Sequence, residues 1–119
     1  MNNLNSVLIE GNLTKDPALS YTKAGTAVTT FSIAVNRQYK SKDDYKEEVA
    51  YLTIESWGKT AENCNEFLKK GRGVRVVGRL KQERWESAGS KQSKVIIVAE
   101  HVEFKPLFKA PTKEPAIVV

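Results

Sequence analysis

The sequence predicts an all-β domain of five strands and one helix, closed into a small barrel. Three observations predict it. Five stretches alternate apolar and polar residues with the period of two that a half-buried strand requires. One stretch, between the third and fourth of these, changes to the period of a helix. The chain has 119 residues, 40% of them hydrophobic, which suits one packed core with no disulfide or structural metal to hold it.

Residues 5 to 13, NSVLIEGNL, set Val7, Ile9 and Gly11 against Leu8 and Glu10 and give the first strand, which ends in a turn before Pro17. Residues 26 to 36, TAVTTFSIAVN, set Phe31, Ile33 and Val35 against Thr30, Ser32 and Ala34 and give the second. The charged stretch 41 to 48, SKDDYKEE, has no period and is expected to be an exposed hairpin loop. In the third strand, 49 to 57, Leu52 and Ile54 point one way while Tyr51, Thr53, Glu55 and Trp57 point the other.

Residues 59 to 71 carry Ala61, Cys64, Phe67 and Leu68 on one helical stripe, with Thr60 as the cap at the start and Gly71 at the end. Two long strands follow, 74 to 85 and 93 to 104, around the turn SAGSKQ, and form a protruding hairpin. Val76, Gly78 and Leu80 take one face of the fourth strand; Arg79, Lys81 and Trp85 take the other. In the fifth, Val95, Ile97 and Ala99 oppose Ile96, Val98 and Glu100. Residues 1 to 104 are thus the expected domain. Residues 105 to 119, with prolines at 106, 111 and 115, are expected to be a flexible extension.

Several function classes drop out. The polar start and the short apolar run Val7 to Ile9 make neither a leader nor a membrane span, so a cytoplasmic protein is expected. One cysteine, Cys64, and one histidine, His101, cannot build a disulfide or a zinc site, and Cys64 reads as apolar filler of the helix. The acids Asp43, Asp44, Glu47 and Glu48 lack the pattern of a calcium loop. Gly58-Lys59-Thr60 imitates the end of a phosphate-binding loop, but Thr53 stands where its first glycine is required. His101 has Glu100 and Glu103 nearby and no nucleophile, so no catalytic constellation, metal or cofactor is expected, and the chain reads as a non-enzyme.

Charge and aromatics point elsewhere. The net charge is +5, and between Lys69 and Arg84 seven basic residues stand against one acid, Glu83. Solvated faces usually mix their signs, so this run suits a polyanion. Tyr39, Tyr51, Trp57 and Trp85 lie on or beside three strands, next to basic or polar residues. Flat rings for exposed bases and cations for phosphates are the pair of features that single-stranded nucleic acid requires. The expected track for phosphates runs from Lys59 through Lys70, Arg72, Arg75, Arg79, Lys81 and Arg84, with bases stacked on the four rings.

Five strands with a helix between the third and fourth is the order of an OB-fold, a five-stranded Greek-key barrel often used for oligonucleotides. The blocks NSVLIEGNLTKDP, TAVTTFSIAVNRQY, ESWGKTAENCNEFLKKG and VRVVGRLKQERW, in that order, resemble the bacterial single-stranded DNA-binding protein family of replication. The resemblance covers roughly residues 3 to 104 and implies stacking on Tyr39, Tyr51, Trp57 and Trp85, with basic contacts from Lys59, Lys70 and Arg84. It gives Gly11, Asn12, Asp16 and Pro17 an architectural role in the turn after the first strand. It also implies a homotetramer, with a dimer as the alternative, that protects DNA in replication, recombination and repair near the nucleoid and recruits replication and repair proteins. Two departures stand out. Family members end in an acidic stretch with a hydrophobic tip, whereas the last nine residues here are PTKEPAIVV, with Glu114 the one acid. Leu52 stands where some members place an interface histidine. The rival reading is an OB-fold primosome or replication accessory acting mainly through protein partners.

Overall fold

Each expected strand forms, and the computed structural model, which describes residues 1–106, adds one more. In chain order the elements are β1 (Val7–Leu13), β2 (Ala18–Tyr21), β3 (Ala27–Ser41), β4 (Asp44–Trp57), α1 (Gly58–Phe67), β5 (Gly73–Ser87) and β6 (Ser90–Phe104). The sheet order β1-β5-β6-β4-β3 returns to β1 through Asn12↔Ala34 and Leu13↔Ile33, so five strands close into the expected barrel. β2 pairs with β3 outside that ring; its four mostly exposed residues, ALSY, carry too little pattern to be read from sequence. Pairings are antiparallel except β4 beside β6, where Ile54 faces Ile97 and Glu55 faces Val98. Of the expected extension, the residues after Pro106 lie outside the described part of the chain.

Period-two alternation fills the barrel. Phe31, Ile33, Ile54, Val74, Val76 and Ile97 are buried together, and each such side chain contributes about 1.5–3 kcal/mol by leaving water. α1 closes one end, inserting Ala61 and Cys64, with Leu68 buried just beyond its last turn. Burial pushes the Cys64 thiol up to about 11, so it stays protonated and inert. Two buried hydroxyls bond beneath the helix: Thr29 Oγ1 of β3 fastens it by donating to the Ala61 carbonyl at 2.7 Å, and Ser56 Oγ of β4 donates to the Thr29 carbonyl at 3.4 Å.

Two close approaches fix the backbone. A Cβ on Gly78 would lie 2.2 Å from the Val98 carbonyl oxygen, beside the register shift between Val77 and Gly78; one on Gly11 would lie 2.6 Å from the Ala34 oxygen. Gly11 and Asn12 therefore sit within β1, not in the turn after it.

Several sequence expectations are corrected. The expected 41–48 loop shrinks to a tight turn at Lys42–Asp43, with Lys42 at φ 57°, because β3 and β4 stay paired out to Ser41↔Asp44. The hairpin turn SAGSKQ likewise shrinks to Ala88 and Gly89, at φ 52° and 83°, the left-handed pair that matches the twist of two strands. α1 stops at Phe67, not Gly71, and Trp57 rather than Thr60 holds the position before its first turn, with no side-chain cap. Phe67 is exposed and packs on Phe104 with ring centroids 6.3 Å apart. Ile96 and Val98 are buried although they alternate with the core residues Ile97 and Ala99, and Val95, before β6 meets β4 at Ile97 and Val98, is 58% exposed. Leu80 is 49% exposed where the β5–β6 hairpin leaves the barrel.

Candidate nucleic-acid interface

Strand register places three of the four candidate rings on one face. In β4, Tyr51, Thr53, Glu55 and Trp57 share the side turned away from the core, opposite Ala34, Ser32, Thr30 and Val28 of β3. Glu55 is also beside Val98 of β6, which is opposite Arg79 of β5. Continuing along the hairpin on that side come Lys81 opposite Ile96, Glu83 opposite Lys94, and Trp85 opposite Gln92. Tyr51, Trp57, Trp85, Arg79 and Lys81 therefore stand on one continuous surface. The rings are open to solvent: 69% for Tyr51, 42% for Trp57 and 46% for Trp85. Trp85 borders an open groove of about 400 Å³ with Arg84, Glu86, Lys91, Gln92 and Ser93.

Tyr39 lies on the other side of the β3–β4 hairpin, opposite Lys46, half-buried under Arg37, whose guanidinium sits 5.1 Å from the ring centre. Arg37 is itself paired with Glu48 at 3.1 Å. The hairpin strands run well past the barrel, so both of their sides meet solvent.

The cations divide into two groups. Lys59, in the first turn of α1 beside Trp57, and Lys70, Lys81 and Arg84 have exposed side chains. Arg84 Nη2 donates to Gln82 at 2.9 Å, on the hairpin side opposite Trp85. Arg79 lies 3.6 Å from Glu100 and remains exposed. Arg72 and Arg75 are engaged inside the domain. Arg72 donates to the carbonyls of Lys105 and Phe67 at 2.7 and 3.3 Å and covers the Phe104 ring at 5.7 Å. Arg75 donates twice to Glu10 Oε2, at 2.9 and 2.6 Å, and lies 3.6 Å from Glu103. Arg75 first, then Lys105, holds the Glu10 carboxyl below its usual value. The architectural candidates do bind backbone: Asp16 accepts from the Lys70 N–H, and Asn12 donates to the Gly71 carbonyl, each at 2.9 Å.

A model of the single-strand binding protein family matches residues 4–105. The chain belongs to that family. Among curated relatives, the single-stranded DNA-binding protein of Treponema pallidum is 46% identical over 103 residues, covering 87% of this chain and 58% of that protein. That of Aquifex aeolicus is 45% identical over 100 residues, covering 83% and 68%. The chain thus spans somewhat under six-tenths of the Treponema relative's length. Among solved structures, a Plasmodium falciparum SSB in complex with ssDNA superposes with a TM-score of 0.80 at 22% identity, over 87% of this chain and 96% of that one. A deletion mutant of the single-stranded DNA binding protein from Thermus aquaticus gives 0.76 at 31% identity, over 85% of this chain and 50% of that one.

The single-strand binding family is non-catalytic, in keeping with the reading of this chain as a non-enzyme. Among the described residues, no cluster of His, Cys, Asp and Glu could hold a metal, and no helix is long and apolar enough to cross a membrane. His101 is exposed, 3.3 Å from Glu103. Sequence reasoning missed two residues of this domain. Asn5 extends β1 by side chain alone, with Nδ2 donating to the Leu80 carbonyl and Oδ1 accepting from the Leu80 N–H, both at 2.9 Å. Glu55 accepts from Trp57 Nε1 at 2.9 Å. Their i, i+2 spacing on a strand was the available signal for Glu55; Asn5 had none.

Proposed function

We propose that this domain binds single-stranded DNA with little sequence preference and protects it during replication, recombination and repair. The observation that carries the proposal is the continuous face on which Tyr51, Trp57 and Trp85 stand solvent-exposed beside Arg79 and Lys81. Bases stack on these rings and on Tyr39 at the hairpin, while Lys59, Lys70, Arg79, Lys81 and Arg84 neutralise phosphates. Arg72 and Arg75 act one step removed, shaping the wall from which the strand's contacts project. Stacking is worth about 1–3 kcal/mol per base and every base has a flat face, so affinity arises without reading base edges. A duplex keeps its bases inside and offers charge alone. Discrimination against duplex follows.

We further propose assembly as a homotetramer in the cytoplasm, on the nucleoid, in the company of replication and repair proteins. β1 supports it: before Asn12 the strand has no β3 partner, which leaves the edge near the exposed Leu8 open to another chain. The test is quenching of tryptophan fluorescence by an oligo-thymidine strand and by duplex across a salt series, with light scattering for mass. Strong quenching by the single strand is expected, with log affinity falling by about 0.7 per phosphate neutralised for each decade of salt. Equal response to duplex, or binding indifferent to salt, would overturn the proposal in favour of an accessory that acts through protein partners.

A further inference from the structure

An acid sits at the centre of the surface assigned to a polyanion, and the geometry explains why. Glu55 lies midway across the sheet, between Thr30 of β3 and Val98 of β6, neither of which carries charge. Among the described residues no ion pair engages Glu55, and its one hydrogen bond accepts from the indole of Trp57 at 2.9 Å. A bare carboxylate there repels phosphate and lowers affinity for DNA. The indole needs no buried partner, since the ring is 42% exposed and water could satisfy its N–H. What the carboxylate adds is orientation. Trp57 is the last residue of β4, with extended backbone, and the chain turns into α1 directly after it. It stands across from Val28 of β3, and its indole N–H reaches back along the strand to Glu55. A bond to the i−2 side chain on the same face fixes the two side-chain torsions that would otherwise be lost when a base settles on the ring.

We propose that Glu55 is a positioning residue for single-stranded DNA: its carboxylate holds the Trp57 indole in the stacking orientation and keeps phosphates away from that point, so that bases rather than backbone meet the middle of the face. The inference rests on the DNA-binding reading above. It separates two effects of one side chain, and they have opposite signs.

The pair Glu55→Gln and Glu55→Ala resolves them. Both variants lose the charge, but only glutamine keeps an acceptor for the indole, so the ratio of their affinities for oligo-thymidine isolates the hydrogen bond. Alanine is expected to bind about fivefold more weakly than glutamine, the worth of one ordinary hydrogen bond. Glutamine is expected to bind more tightly than the parent at low salt, with the gain shrinking as salt is raised. In a Trp85→Phe background the remaining indole is Trp57, and its fluorescence anisotropy should fall in the alanine variant and be restored in the glutamine one. Adding Trp57→Phe should erase the difference between glutamine and alanine. Equal affinities of the two Glu55 variants, with Trp57→Ala still weakening binding, would overturn this inference and leave the DNA-binding reading standing. Indifference of binding to Trp57→Ala and Trp85→Ala together would overturn that reading itself. Thermal melts of each variant identify any loss that comes from unfolding.

Discussion

Two neighbouring stretches of β5 carry similar basic residues in different electrostatic surroundings. Before the Val77/Gly78 register shift, Arg75 stands across from Glu10 on one neighbouring strand and Glu103 on the other, and Lys105 reaches Glu10 at 3.2 Å. The charges there neutralise each other. After the shift, the partners across the ladder from Arg79 and Lys81 are Val98 and Ile96, and Trp85 faces Gln92; Arg79 keeps one acid, Glu100, at 3.6 Å, in a pair more exposed than those of Arg75. Lys81 meets no acid across the ladder, and the rings beside it are bare. The lesson is that a basic run is no interface until its cross-strand partners are known, because an opposite acid converts a cation from a ligand contact into a brace.

The comparison can be broken at its boundary. Gly78→Ala would drive a methyl group into the Val98 carbonyl oxygen, which is backbone and cannot swing aside. The expected outcome is a loss of about 1–3 kcal/mol of folding stability, read from the denaturant midpoint. A wild-type midpoint would mean that the bulge relaxes freely and does not fix the two halves.

The next effect is a crossover. Trp85→Ala should weaken binding of oligo-thymidine by about 1–3 kcal/mol with an unchanged melting temperature, since the ring lies outside the core. Arg75→Ala should do the reverse, leaving affinity near that of the parent and lowering stability by at most about 1 kcal/mol, because the pair is a third exposed and screened. Loss of affinity in Arg75→Ala with an intact melt would return that arginine to the phosphate track.

The smallest effect sharpens the brace. Glu10 is held below its usual 4.5 by Arg75 and Lys105. A carboxylate whose folded-state pKa is depressed contributes stability that is present above its unfolded value and lost as pH falls through the folded one. The gap in melting temperature between the parent and Arg75→Ala should therefore narrow on acidification below about 4.5. A gap independent of pH would assign the stability to packing of the arginine stem.

Much of this was legible beforehand. The alternation of Phe31, Ile33 and Ile54 and the helical spacing of Ala61 and Cys64 marked the core, and their burial agrees. The outward side of Tyr51, Trp57 and Trp85 followed from parity alone. At both hairpins the strands run further than their polarity pattern indicates, since charged residues beyond the barrel stay paired through backbone bonds that polarity does not reveal. The helical stripe of Ala61, Cys64 and Phe67 marks Phe67 as core, but the helix ends there and its ring packs on Phe104 instead.

What the sequence determined by itself was therefore what depends on neighbours along the chain: the period of each element, the face each ring occupies, and the overall excess of cations. Tertiary structure alone decided which cations are spent. Glu10 and Glu103 are 65 and 28 positions from Arg75 in either direction along the chain, and only the ladder of hydrogen bonds sets them opposite it. Coulomb attraction acts over a few ångströms of space and is blind to distance along the chain, so register, and not composition, divides the braced cations from those left open for the proposed interface.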